Sequence, residues 1–188
     1  ARRAALESLV VAECAEGGGR FLDDIANGVW AVCEESFWGI PAHVGEQRAG
    51  VTLPDVTEPV VDLFAAETAN LLAWIAWLLD DRLDSVSPLI RERVHLEVER
   101  RVLAPMRERD DFWWMGYADL PANRKVNNWN PWICSNWLAA ALLTETDDEE
   151  RARTVHRIAH TLDNFIDTYP SDGGCDAGPS DSTHAGPA

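Results

Sequence analysis

Between positions 110 and 137 the sequence crowds Trp113, Trp114, Tyr117, Trp129, Trp132 and Trp137 together with Asn123, Asn127, Asn128, Asn130 and Asn136. Five of the nine tryptophans and five of the eight asparagines fall in that stretch, so the concentration is local and not a background of composition. A sugar needs this combination, because the C–H face of its ring stacks on indole while its hydroxyls exchange donors and acceptors with carboxamides. The pattern reads as a glycan cleft lined by Trp113, Trp114, Tyr117, Asn127, Asn128 and Trp129, with Arg124 beside the asparagine cluster. Part of the cluster has a packing explanation: Trp132 and Trp137 fall at core positions of a helix, and Asn130 stands where an N-cap would. Trp129, Asn127 and Asn128 crowd just before that helix, in the kind of loop that commonly carries function.

The second group with usable chemistry is His43. It follows Phe37-Trp38-Gly39-Ile40-Pro41 in a loop where an imidazole can reach solvent or ligand. His156 and His160 are four apart on one helix, the spacing of a two-histidine zinc face, but Arg157 replaces the general-base Glu of H-E-x-x-H and no third ligand is evident. His95 lies among Arg and Glu on a charged helix. Asp80-Asp81 reads as a helix end and the run from Asp147 to Glu150 as a helix start, so solvation and the helix dipole account for both. No phosphate-cradling glycine loop, G-x-S-x-G elbow or zinc finger occurs, and neither a metal nor a cofactor is expected.

Six helical segments are expected to position these residues. Apolar residues recur at helical spacing over 2–15 and over 21–36, separated by Gly17-Gly18-Gly19. A loop with Phe37, Trp38, Pro41 and His43 leads to a third helix, starting near Glu58-Pro59 behind Asp55 or Thr57 and running to about 81, apolar on nearly every side. Ser87-Pro88 opens a fourth to about 107. Asn130-Pro131 opens a fifth to about 145, and a capping box from Thr146 to Glu149 opens a sixth to about 168. No alternating run suggests a strand. The expectation is an all-α fold, with a helical domain over 1–169 built as three successive hairpins forming an α-hairpin array or part of a helical toroid, and a Gly/Pro/Asp-rich tail over 170–188 read as loop or disorder.

Composition bounds the partners. The 188 residues carry 32 acidic against 16 basic side chains, a net charge of −16, which disfavours nucleic acid and anionic membrane surfaces. The longest uninterrupted apolar stretch, 71–79, is far shorter than the roughly 20 residues of a membrane span, so no membrane is expected. Cys14, Cys33, Cys134 and Cys175 are far apart with no C-x-x-C pair and read as reduced thiols, mostly core, which leans toward a cytoplasmic setting. Glu7 and Glu13 interrupt any signal-like region at the start.

Asn127-Asn128-Trp129-Asn130-Pro131-Trp132, Ser135-Asn136-Trp137-Leu138 and Tyr169-Pro170-Ser171-Asp172-Gly173-Gly174-Cys175-Asp176 resemble the helical domain of the heparinase II/III-like family. So do Phe37-Trp38-Gly39-Ile40-Pro41-Ala42-His43 and Asp62-Leu63-Phe64-Ala65-Ala66-Glu67-Thr68. The resemblance covers about 37–180, with separated motifs in the same order. It implies an incomplete (α/α) toroid and an activity that cleaves uronic-acid glycans by β-elimination. A side chain must then neutralise the uronate carboxylate so that the C5 proton becomes acidic, while a base removes it and an acid protonates the leaving oxygen.

By this resemblance the segment near Asp172 carries a neutralising His or Asn, a position near which Cys175 stands here, and Ala177 occurs where related sequences have Glu. Similarity stops after Ser180, where Asp181 replaces an expected aromatic, and the later tyrosine is missing from this chain. The expected catalytic candidates are Asn128, His43 and Cys175, an incomplete set, and the expected partner is a polysaccharide or oligosaccharide touched also by Asp172. An inverting glycosidase using Asp172 or Asp176 as one of two carboxylates, or a non-catalytic glycan-binding scaffold, are the alternatives.

Overall fold

The computed structural model of the chain describes residues 2–118 and 125–174, and among these every regular element is helical. Seven α-helices follow in order: α1 (Arg2–Glu16), α2 (Leu22–Cys33), α3 (Leu63–Val86), α4 (Leu89–Val98), α5 (Ala104–Glu108), α6 (Trp129–Thr144) and α7 (Asp148–Ile166). Two 3-10 turns, Pro41–Glu46 and Trp113–Met115, carry site residues between them.

The helices pair as α1 with α2, α3 with α4, and α6 with α7, and the pairs stack through α1 on α3, α3 on α6 and α2 on α4. Side-chain bonds give the direction of the stacking. Arg3 donates to Thr68 Oγ1 at 2.6 Å and Arg82 pairs with Glu13, so α1 and α3 run the same way. Trp132 Nε1 donates to Glu67 at 2.8 Å and Asn70 to Asn136 at 2.7 Å, so α3 and α6 do as well. The result is a row of parallel helices, α1, α3 and α6, backed by the returning helices α2, α4 and α7.

α3 is the centre of the core. Ala65, Ala66, Ala69, Ala73 and Ala76 keep its surface low enough for close approach by its neighbours, and Leu72, Ile75, Leu79 and Leu83 fill the gaps with essentially no exposure. Each of those larger side chains contributes roughly 1.5–3 kcal/mol by leaving water. At 24 residues α3 is long and apolar enough to cross a membrane, more than its uninterrupted apolar run suggests, yet half of that window is buried inside the fold. Trp74 and Trp77 remain on its open side, 41% and 58% exposed, their rings edge to face at 5.5 Å.

Several boundaries differ from the sequence expectation for identifiable reasons. α3 starts at Leu63 and not near Pro59, because Asp62 supplies the cap and buried Val60 and Val61 precede it outside the helix. It continues past Asp80-Asp81 with a kink at Asp80, and Arg91 from α4 pairs with Asp80 and Asp84 there. Ser87 does cap α4, accepting from Leu89 N at 3.3 Å. The fourth segment then widens into a π turn over Glu99–Leu103 just before Pro105, which has no N–H to offer a preceding carbonyl. Asp147, not Thr146, caps α7, accepting from Glu149 N at 2.8 Å and Glu150 N at 2.9 Å.

Two buried ion clusters close the ends of this arrangement. Glu13 is fully buried, accepts from Gly19 N at 2.8 Å and Phe21 N at 2.9 Å, and pairs with Arg82, tying the α1–α2 turn to α3. Arg101 reaches Glu97 at 2.6 Å and the Cys33 carbonyl at 3.0 Å, and lies 4.7 Å from the Trp38 ring. Cys33 and Cys134 are core thiols, and burial pushes them up to about 11 and about 12. Cys14, expected with the core group, is exposed, and Cys175 lies outside the described residues.

Candidate functional site

The N-terminal ends of α3 and α6 come together with the Pro41–Glu46 turn. Asp62 caps α3 and is completely buried. Its Oδ1 accepts from Ala65 N at 2.8 Å, and its Oδ2 from Ile40 N at 3.3 Å and from His43 Nδ1 at 2.6 Å. A carboxylate accepts only, so the bond assigns the proton of the imidazole to Nδ1 and leaves Nε2 as the reactive nitrogen. The Asp62 carboxylate thereby does two jobs at once, starting the helix and fixing the histidine tautomer.

The loop before His43 is shaped for this contact. A Cβ on Gly39 would sit 2.7 Å from Asp62 Oδ2 and 2.7 Å from the Phe37 ring, so the chain passes over the carboxylate only with glycine there. Trp38 anchors the loop, buried and donating its Nε1 to the Val32 carbonyl at 2.9 Å. His43 itself is held with its side chain 18% exposed. Its ring centre is 4.4 Å from Trp129 and 6.1 Å from Phe64, and Trp129 lies 5.2 Å from Trp113. The imidazole held by Asp62 thus packs beside Trp129 and Phe64, and Trp129 and Trp113 in turn pack against the core.

The asparagines divide by what they are committed to. Asn130, expected as an N-cap, is instead buried inside α6 and bridges three elements, donating to the Trp114 carbonyl at 3.0 Å and the Thr161 carbonyl at 2.8 Å. Asn136 is taken up by Asn70 and by the Trp132 carbonyl at 2.8 Å. Asn127 accepts from Trp129 N at 3.1 Å, an Asx turn that leads the chain into α6. Asn128 makes no side-chain cap bond and no other side-chain hydrogen bond among the described residues, so its carboxamide is uncommitted there. It stands at the α6 N-terminus, where unpaired N–H groups and the helix dipole favour negative charge.

One turn further along the α3–α6 seam lies Glu67, joined to Trp132 Nε1. Burial raises its carboxyl above the ordinary carboxylate range, the nearby Glu7 and Asp62 push the same way, and the Trp132 bond and Arg3 oppose them. Neither Asp62 nor Glu67 stands out by spacing alone. Asp62 had a usable local signal, a helix-capping side chain directly before an alanine-rich apolar run. Glu67 had none, since only the packing of α6 brings an indole to it.

Other expected residues lie elsewhere. Trp114 is 1% exposed, stacked 5.8 Å from Phe112 and donating to the Val61 carbonyl at 3.1 Å, so it belongs to the core and not to a cleft wall. Tyr117 bonds to Thr161 Oγ1 at 2.7 Å and opens on a separate cavity of about 920 Å³ shared with Arg157, His156 and His160. Asp172 is exposed in the turn after α7, accepting from Gly174 N at 2.9 Å, with no contact to the His43 group. Arg124 and Cys175 lie outside the described residues. His156 and His160 touch at 4.5 Å between ring centres, and among the described residues no group of three or more His, Cys, Asp or Glu converges to hold a metal ion. No protein-family model matches this sequence, and no curated protein matches it either.

Proposed function

We propose that this chain is the glycan-handling helical part of a polysaccharide lyase acting on uronic-acid glycans, its parallel row α1, α3 and α6 being an arc of an (α/α) toroid. The observation that carries the reading is His43 held by buried Asp62 at 2.6 Å while its ring lies 4.4 Å from Trp129. A sugar stacked on Trp129 would lie beside His43, whose ring is fixed by the Nδ1 bond to Asp62 so that Nε2 is the nitrogen left to transfer a proton. Asn128, with an uncommitted amide at a helix N-terminus, suits the uronate carboxylate: its N–H groups and the dipole oppose the charge that grows as the C5 proton leaves. The sequence resemblance to heparinase II/III-like lyases supports the same assignment for the Asn127-Asn128-Trp129 motif.

Tryptophan fluorescence of the 188-residue chain, titrated with unsulfated uronic-acid and neutral oligosaccharides, tests the cleft. Saturable quenching that disappears in Trp129→Ala is the expected result. A folded wild-type chain that responds to no oligosaccharide overturns the proposal. The chemistry is checked by product: an unsaturated uronate absorbing in the ultraviolet marks elimination, whereas new reducing ends without that chromophore would reassign the reaction to hydrolysis.

A further inference from the structure

We infer that Glu67 is a specificity-determining residue of the proposed cleft, reading a hydroxyl of the sugar next to the one at His43 and excluding a sulfated sugar from that position. This deepens the glycan-lyase reading and rests on it. The geometry has three parts. Phe64 and Glu67 are three apart on α3, and Trp129 and Trp132 three apart on α6, so each pair shares a face. His43 lies against Phe64 and Trp129, and Glu67 is bonded to Trp132 at 2.8 Å. Glu67 and Trp132 therefore follow the residues that touch the imidazole by three positions on each helix, a rise of about 4.5 Å along the seam.

Trp132 occupies Oε1, and Oε2 makes no hydrogen bond among the described residues, which leaves an acceptor beside an indole, the pair a sugar hydroxyl takes. Charge sets the exclusion. Asp62 and Glu7 add negative potential at Glu67, and Arg3, a cation that acts on it, is already held by Glu35 at 2.8 Å and Thr68 at 2.6 Å. A sulfate placed here meets like charge in a partly buried setting, a juxtaposition that costs binding heavily. An unsulfated ring meets an acceptor and an aromatic edge.

The test is a pair of fluorescence titrations of the whole chain, with an unsulfated chondroitin tetrasaccharide and with the same tetrasaccharide 6-sulfated. The wild type is expected to bind the unsulfated form at least about tenfold tighter, and Glu67→Gln, which keeps the acceptor for Trp132, to bring that ratio down by about tenfold. Glu67→Asp retains the charge and is expected to retain the preference, which separates a charge effect from a folding defect. Equal affinities in the wild type, or the wild-type ratio surviving in Glu67→Gln, overturns the role of Glu67 while leaving the cleft standing. Binding of neither sugar by the folded wild type overturns the cleft and this inference together.

Discussion

Asp62 and Glu67 are five residues apart on one helix and live in different solvents. Three donors meet the Asp62 carboxylate, so its burial is compensated. Glu67 has one donor, and burial outweighs it, holding the carboxyl above its ordinary value of 4.5. A raised value means that the folded state binds the proton more tightly than the unfolded chain. The stabilisation this brings is complete below about pH 4.5 and is lost as pH rises through the raised value. Glu67→Gln removes that loss. The variant is expected to have a higher urea midpoint than wild type at pH 7, with the advantage shrinking at pH 4. An advantage of the same size at both pH values would show that the carboxylate is not penalised in the fold.

At the level of elements, the His43 loop and the α7 start give the sharpest tests. Gly39→Ala forces a Cβ to within 2.7 Å of Asp62 Oδ2 and the Phe37 ring, both held in place, so the loop must move. The expected cost is about 1–3 kcal/mol of stability, as for overpacking elsewhere, together with loss of the 2.6 Å His43–Asp62 contact. Chemical denaturation measures the first, and the imidazole nitrogen chemical shifts report the second. A neutral effect on both would mean that the loop is free to ride over the carboxylate. For α7, Asp147→Ala removes the acceptor for two backbone N–H groups and is expected to cost about 1 kcal/mol, while Thr146→Ala costs little. The reverse order in urea midpoints would restore the capping box that the sequence spells.

At the scale of the whole molecule the dominant fact is 32 acidic against 16 basic side chains. Many arginines are absorbed into local pairs, such as Arg91 with Asp84 and Arg157 with Asp110 at 2.6 Å, and these leave the excess negative charge facing itself across the surface. Self-repulsion of that kind opposes compaction and is screened by salt. Raising sodium chloride from about 10 mM to about 150 mM shortens the screening length from roughly 30 Å to roughly 8 Å and is expected to raise the melting temperature. A fall would mean that the surface ion pairs outweigh the net charge. On the proposed reading, the same surplus favours an unsulfated glycan over a sulfated one near Glu67.

The sequence by itself determined the elements, because helical periodicity, glycine breaks and cap residues act over a few positions. The stripes of α1, α2, α6 and α7 were legible, as was the central burial of α3, and the pairing into successive hairpins followed from their order and short connections. Trp137 was legible as core and Asn127, Asn128 and Trp129 as a polar aromatic corner at a helix start. What only the tertiary structure decided were the partners. Asn130 looked like a cap until Trp114 and Thr161 supplied carbonyls from two other elements. Trp114 looked like a cleft wall, but it is buried and its Nε1 donates to the Val61 carbonyl in the segment leading into α3. His43 acquired a defined tautomer from Asp62, nineteen positions away, and Glu67 acquired its indole from Trp132, sixty-five positions away. Periodicity reports which side of a helix is apolar, but which helix arrives there, and with which polar atom, is decided by packing.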